Sequence, residues 1–476
     1  MMPSTFNLRV PLDTGDVFLM NALSGAQLVV SSEAADLLDQ HARACPDPAT
    51  RSEEELDALA TFAQYGLLVD SREAEQQALA SHFRAFREDT SQLRVTILTT
   101  LQCNFACRYC YQGSQNDPPR AAAAMSATTA AAVARWIEAQ LDQVKPRRLV
   151  LTFFGGEPLL NVPAMLSLAD ACWQASRTRG VQQLINIITN GLLLTPAIVE
   201  RMKPFGLNGV KVTLDGDRAT HDRMRPTRGG QGSFDRIIAN IGRVADQTRV
   251  AVGGNFDTAT AGAFPALLDL LARQPFAKRI SRVTFKPVIH SRAARAPASH
   301  DAPGSTTVRP GRFGTSCTSA AGAGGGAVDA SSEGPDVIDR HMSRLREEIS
   351  RRGFATSDGL HMGPCELYRR HSHTVGPDGT LYPCPGFAGT DGLSIGNIFA
   401  PPDGAASCVG SHFERLAPWR RCGDCSLVPV CGGGCAVASH EELGDTQAPS
   451  CHKRAFESAL MSLAEQAAGQ TKGEVK

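Results

Sequence analysis

The stretch LQCNFACRYCYQ, Leu101 to Gln112, decides how the chain is read. Cys103, Cys107 and Cys110 form a C-x3-C-x2-C array directly after the apolar strand pattern Leu93 to Leu98. Three thiolates on one short loop can bind one metal centre, but they cannot close a four-coordinate site by themselves. In a cubane iron-sulfur cluster each iron takes one outside ligand, so three cysteines leave one iron open to a substrate or cofactor. A zinc knuckle is the competing reading. It needs a fourth ligand in register and usually pairs C-x2-C units, and no such partner lies nearby in the sequence.

Outward from this loop, strand-like runs alternate with helical patterns from Leu93 to about His290, the mark of repeated β-α units around a parallel sheet. Six strands are expected, at Leu93 to Leu98, Leu149 to Phe154, Leu184 to Thr189, Val210 to Leu214, Val250 to Asn255 and Val283 to Val288. Helices such as Ala127 to Leu141 and Ser233 to Ala245 fall between them. The fold class expected is α/β, a partial (β/α)6 barrel spanning residues 89–290, whose strand C-terminal ends carry the active site. Residues 291–335, rich in Gly, Ala, Ser and Pro, read as a low-complexity flexible insertion. A helix and a cysteine-rich domain follow over residues 336–476.

With its aromatic Tyr109 before the last cysteine, the loop resembles the cluster loop of the radical S-adenosylmethionine enzymes. The resemblance implies that Cys103, Cys107 and Cys110 hold a 4Fe-4S cluster whose open iron is chelated by S-adenosylmethionine. One electron then cleaves the sulfonium to a 5'-deoxyadenosyl radical. Further motifs resemble the family in the expected order. Gly155-Gly156-Glu157-Pro158 ends the second strand and is similar to the GGEP segment that meets the cofactor's amino group. Glycines let a backbone approach a ligand, and Glu157 or exposed carbonyls can accept from an ammonium. Thr189-Asn190-Gly191 ends the third strand. Val212 to Pro226 resembles the S-L-D-G-x-x-x-x-H-D-x-x-R segment, with Thr213 in place of the usual serine. By this resemblance Tyr109, Asn190, Thr213 and Asp215 border the cofactor, and Arg223 or Arg225 reaches a carboxylate, Arg223 being preferred. Asp215, His221 and Asp222 also suit a helix-capping role. Asn255 and Lys286 end the fifth and sixth strands and face the same mouth.

The C-terminal cysteines read Cys365-x18-Cys384, then Cys422-x2-Cys425-x5-Cys431-x3-Cys435-x15-Cys451. This run resembles the seven-cysteine pattern of the SPASM domain. Seven thiolates are one short of two fully ligated 4Fe-4S clusters. The resemblance assigns Cys422, Cys425, Cys431 and Cys451 to one auxiliary cluster, and Cys365, Cys384 and Cys435 to the other. Fully ligated relatives carry an eighth cysteine where this chain has Gly359; His361, Cys317, Cys408 or an open iron are the alternatives. A zinc ribbon over Cys422 to Cys435 is the plainer reading, and the complete run of spacings weighs against it. Cys45 and Cys172 sit in helical patterns and read as small buried hydrophobes.

Residues 1–88 read as a separate winged-helix-like α+β module, with a hairpin over Phe6 to Val10 and Val17 to Met20, a third strand at Ala26 to Val30, and helices after Ser31 and Ser52. The segment Phe18 to Leu38 resembles the opening of many SPASM peptide maturases, which implies leader-peptide recognition by strand addition. Lys plus Arg balance Asp plus Glu at 48 each, so nothing in the net charge attracts nucleic acid or an anionic membrane. No run of eighteen apolar residues and no apolar core behind a basic start is present, so a cytoplasmic protein is expected.

The enzyme expected is a radical S-adenosylmethionine maturase that oxidises or cross-links a ribosomally made peptide or small protein, served by a donor such as flavodoxin or ferredoxin. Sulfatase maturation is the alternative. That branch of the family has an aspartate proposed as base directly after the cysteine of YPC, where this chain has Pro385. A non-catalytic cluster- or zinc-binding scaffold is the alternative of another class.

Overall fold

The computed structural model describes residues 1–43, 51–110, 124–289, 335–356, 364–390, 392–400 and 408–471. The N-terminal strands are β1 (Met2–Pro3), β2 (Asn7–Pro11), β3 (Val17–Asn21), β4 (Gln27–Val30) and β5 (Leu68–Val69). The order β2-β3-β4 makes an antiparallel sheet, and β1 pairs with β5. β3 is buried throughout. Its two faces pack in opposite directions: Val17 and Leu19 onto helices Ser32–Arg43 and Glu53–Gln64, Phe18 and Met20 onto the C-terminal region. Ser52 and Glu55 close a capping box that starts the second of these helices.

The central sheet runs β6 (Gln92–Thr100), β7 (Arg148–Gly155), β8 (Gln182–Thr189), β9 (Leu207–Thr213), β10 (Val250–Phe256) and β11 (Ile280–Pro287), all parallel and in sequence order. The expected α/β arrangement with a partial barrel of parallel strands is present. The alternation that the pleat produces is plainest in β7 and β8. In β7, Leu149, Leu151 and Phe153 are buried among the surrounding core, while Val150, Thr152 and Phe154 face the barrel interior half-buried. Helix Ala127–Val144 answers with Ala130, Val133, Ile137, Leu141 and Val144 on one stripe, capped by Ser126 accepting from Thr129 N–H.

The expected boundary between barrel and C-terminal domain is crossed by both sheet and core. β12 (Ser372–Val375) pairs parallel with β6, and β13 (Thr380–Tyr382) and β14 (Gly396–Asn397) continue the sheet antiparallel. Leu345 and Ile349 of helix Pro335–Arg351, with Phe354, belong to the barrel core, because β11 otherwise leaves its outer face uncovered. The N-terminal sheet shares a second core with Leu427, Val428, Val430 and Leu460, and Phe83 stacks on Trp419 at 3.9 Å between ring centres. The insertion read over residues 291–335 lies, except for its last residue, outside the described residues, as do Cys45, Cys317, Gly359 and His361. Cys172 is buried in the barrel core. Among the described residues no helix is long and apolar enough to cross a membrane.

Candidate functional site

The cysteine loop leaves β6 at the C-terminal edge of the sheet and is held from two sides by backbone. On one side Gly156 N–H donates to Thr100 O at 3.0 Å and Glu157 N–H to Gln102 O at 2.8 Å. A Cβ on Gly155 would stand 2.2 Å from Thr100 O, and one on Gly156 would stand 2.1 Å from Gln102 O. The approach these glycines permit is therefore that of the cysteine loop itself, where the sequence reading had a ligand. On the other side Ala106 N–H donates to Pro226 O at 2.8 Å and Arg228 N–H to Asn104 O at 3.0 Å. Phe105 bridges to Thr227 and is almost fully buried, which sinks the loop's middle into the core.

Side chains complete the clamp. Tyr109 Oη donates to Asp215 Oδ2 and accepts from Arg225 Nη1 at 2.6 Å and from Asn255 Nδ2 at 3.2 Å. Asp215 Oδ1 accepts from Asn255 N–H at 2.7 Å. Burial pushes the Tyr109 phenol well above its ordinary range, so it stays protonated and donating. The guanidinium that meets a carboxylate is that of Arg225, with Arg223 exposed on the outer side of helix Arg218–Met224. Two residues further on the chain has left the helix and turned inward, where Arg225 also lies over the Phe105 ring at 5.7 Å.

Glu157 is fully buried, and its carboxylate accepts from Thr189 Oγ1 at 2.7 Å, Asn190 N–H at 2.8 Å and Leu159 N–H at 3.0 Å. Burial raises its pKa against these bonds. It locks the end of β7 to the end of β8, so the carboxylate is engaged inside the protein, and the segment's backbone carbonyls are the other acceptors named for a cofactor ammonium. Pro158 is buried behind it at the start of a short turn. Asn190 reaches the loop directly, its Nδ2 donating to Asn104 Oδ1 at 2.7 Å and standing 3.8 Å from Cys103 Sγ. Thr213 ends β9 half-buried on the interior face.

His221 and Asp222 take structural roles. Asp222 Oδ1 accepts from Ser233 N–H at 2.8 Å and Phe234 N–H at 3.0 Å, capping helix Phe234–Val244. His221 Nδ1 accepts from Asp215 N–H at 3.2 Å, so Nε2 carries the proton toward Ser233 Oγ at 3.1 Å. Burial lowers its pKa to about 3, which keeps the ring neutral.

The thiols fit the donor set of an iron-sulfur centre. Burial raises Cys103 to about 12 and raises Cys107, with the Arg225 charge opposing in both cases. Bare thiols are therefore protonated here, and a cationic cluster is what turns them into thiolate ligands. In the C-terminal region Cys422, Cys425, Cys431 and Cys451 line one cavity. Burial holds Cys422 near 12 and Cys431 near 11, with mutual repulsion among the four adding to it. Cys365, Cys384 and Cys435 form a separate group that interacts electrostatically, and Lys286 at the end of β11 stands close enough to favour the thiolates of Cys365 and Cys384. Cys422, Cys425, Cys431 and Cys451 thus share a cavity, while Cys365, Cys384 and Cys435 lie near one another. Among the described residues no three Cys, His, Asp or Glu side chains close on one point as a single ion demands. Four thiols around one cavity that do not close on a single point suit a polynuclear cluster. The side chain of Cys408 lies outside the described residues.

Residues 97–256, from the middle of β6 to the end of β10 with the cysteine loop, match the Radical SAM superfamily. That match implies a 4Fe-4S cluster and S-adenosylmethionine. The Fe-coproporphyrin III synthase of Methanosarcina barkeri is 26% identical over 230 residues, 46% of this chain and 49% of that protein. The AdoMet-dependent heme synthase of the same organism is 34% identical over 143 residues, 30% of this chain and 36% of that one. The chain thus spans half or less of these curated relatives. In structure it is similar to anSMEcpe with bound AdoMet, with a TM-score of 0.56 at 16% identity over 79% of this chain and 99% of that one. At that identity the likeness is one of fold.

Proposed function

We propose that the protein is a maturase that oxidises or cross-links a side chain of a ribosomally made peptide or small protein. Cys103, Cys107 and Cys110 would hold the cluster that binds S-adenosylmethionine, and together these supply a 5'-deoxyadenosyl radical. The C-terminal cysteines would hold two auxiliary clusters in a SPASM-type domain, taking up the electron released when the substrate carbon is oxidised. A flavodoxin or ferredoxin in the cytoplasm would supply the priming electron. The observation that carries this reading is the order of the parts: a cysteine loop at the barrel mouth, three thiols beside the same mouth next to Lys286, and a four-thiol cavity beyond them.

A peptide substrate is supported by the N-terminal sheet, which ends on β4 with its pairing on one side only, an edge suited to strand addition. The same protein anSMEcpe has been solved with bound AdoMet and the Cp18Cys peptide, with a TM-score of 0.54 at 14% identity. Sulfatase maturation gains from this fold likeness and loses from Pro385, whose ring starts a short turn after Cys384 and offers no base. The two curated relatives from Methanosarcina barkeri make tetrapyrroles, by name, but are matched over only a third to a half of their lengths.

Anaerobic reconstitution tests the proposal. Roughly twelve iron per chain and 5'-deoxyadenosine from S-adenosylmethionine and dithionite are expected. A preparation binding only zinc, or releasing no 5'-deoxyadenosine, overturns it. Offered a sulfatase peptide, the enzyme should yield no formylglycine.

A further inference from the structure

Residues 224–226 run along the cysteine loop. Arg108 N–H donates to Met224 O at 3.3 Å and Ala106 N–H to Pro226 O at 2.8 Å, which sets the backbone of Arg225 across from Cys107, the middle thiol of the loop. The Arg225 side chain is only 10% exposed. Its Nη1 donates to Tyr109 Oη at 2.6 Å and stands 3.5 Å from Asp215 Oδ2, and its Cζ lies 5.7 Å from the centre of the Phe105 ring. Phe105 precedes Cys107 and Tyr109 follows it, so the cation meets the loop on both sides of that thiol.

Two features of this cation point past the protein's own groups. Nε is fully enclosed and, among the described residues, has no acceptor. A buried donor on a charged group is costly while it goes unmet. The second feature is charge. Burial disfavours the guanidinium cation, yet its pKa is raised, with Cys107 ahead of Tyr109 and Asp215 among the groups that favour it. The same charge opposes the burial that raises Cys103 and Cys107. Asp215 also serves other donors, Asn255 N–H at 2.7 Å and the Tyr109 phenol. Neutral donors already stand at Cys103 Sγ, Phe105 N–H at 3.4 Å and Asn190 Nδ2 at 3.8 Å, and Arg225 adds a charge to them. The sulfurs of a cluster on these thiols accept hydrogen bonds, and such bonds, with the net charge nearby, tune an iron-sulfur potential.

We infer that Arg225 sets the reduction potential of the loop cluster, its Nε–H donating to a cluster sulfur and its charge opposing the negative charge that the priming electron adds. The inference rests on the proposed function, in which the three loop thiols hold that cluster, and names the residue that tunes its first step. Arg225 keeps its proton in both oxidation states. The electron therefore arrives from the flavodoxin- or ferredoxin-type donor, or from dithionite, with no proton transferred and no bond broken.

The test is a redox titration of reconstituted holoenzyme followed by electron paramagnetic resonance, first without S-adenosylmethionine and then with it. The loop cluster is the signal that changes when S-adenosylmethionine is added. Arg225→Lys keeps a cation for Asp215 and loses Nε–H. Reduction of the loop cluster should become about tenfold less favourable, a shift of about 59 mV to more negative potential. Asp215→Asn keeps the shape and frees the guanidinium from its carboxylate, so its shift should be of similar size and opposite sign. Exposed Arg223→Lys should leave the potential where it is. A purely structural clamp predicts no reversal of sign. An unmoved potential in Arg225→Lys, or shifts of one sign in both variants, overturns the inference. So does a shift confined to samples with S-adenosylmethionine, since Nε–H then engages the cofactor's carboxylate. Should either variant fail to hold loop iron, wild type carrying isotope-labelled guanidinium nitrogens decides by pulsed resonance without S-adenosylmethionine. A nitrogen coupling to the reduced loop cluster supports the bond, the neighbouring Arg108 and Arg228 being exposed, and its absence overturns the inference. A wild type with no signal that responds to S-adenosylmethionine removes the proposed function and the inference with it. A responsive signal whose potential ignores Arg225→Lys removes the inference alone.

Discussion

The loop cysteines and the C-terminal cysteines hold similar chemistry in opposite ways. Cys103, Cys107 and Cys110 sit on a loop stitched to four strand ends by backbone bonds and by the Tyr109, Asp215, Arg225 and Asn255 network. The C-terminal thiols sit on turns whose shape comes from glycine. Gly432, Gly433 and Gly434 have consecutive positive φ of 62°, 89° and 86° between Cys431 and Cys435. A site built on a sheet keeps its shape when the cluster is lost. A site built on turns draws more of its order from the metal it binds.

The largest effect is expected from Arg225→Met. It leaves Asp215 buried at 1% exposure without its cation, and removal of one partner from such a pair costs about 3–5 kcal/mol. The damage should stay with the loop: roughly four iron lost, no 5'-deoxyadenosine, and the C-terminal iron retained. Loss of all iron together would show that the two regions do not form independently.

Gly434→Ala is the converse, with a smaller cost. Its Cβ would stand 2.0 Å from Ser450 O, next to Cys451, in a backbone conformation that costs an L-residue about 1–2 kcal/mol before any clash. We expect roughly four iron lost from the C-terminal region, a lower Tm, and undisturbed binding of S-adenosylmethionine measured by dialysis. A variant with full iron content would mean that the turn yields more readily than its contacts suggest.

All six barrel strands were legible because apolar alternation is a local signal and a strand's partners are fixed by sequence order in a β-α repeat. The cysteine sets were legible for a similar reason, since ligand spacing on a turn is short-range. Other features depend on what lies across the sheet. Glu157 read as a cofactor contact, and only the meeting of β7 and β8 shows its carboxylate spent on Thr189 and Asn190. Arg223 and Arg225 are two residues apart, and the helix end between them decides which turns inward. The C-terminal strands that extend the barrel sheet were missed because they are two to four residues long and lie beyond the insertion.

The smallest expected effect separates the two regions by acid. His221 is fully buried and neutral, with its pKa lowered by burial to about 3, while an unfolded histidine titrates near 6.5. Between those values the unfolded chain binds the extra proton, so stability from this group is complete above about pH 6.5 and falls as the pH drops. From pH 7 to pH 5 the loss is about 2 kcal/mol by linkage. His221→Gln retains a donor for Ser233 and does not titrate, so the difference between wild type and variant in urea should narrow by that amount over the same interval. Because His221 braces Asp215 N–H, the acid effect should register first as weakened anchoring of Tyr109 and faster loss of loop iron at pH 5, with the C-terminal iron released later. If the C-terminal iron leaves first in both proteins, the turns are the weaker of the two scaffolds even in acid, and the neutral histidine is not what limits the loop.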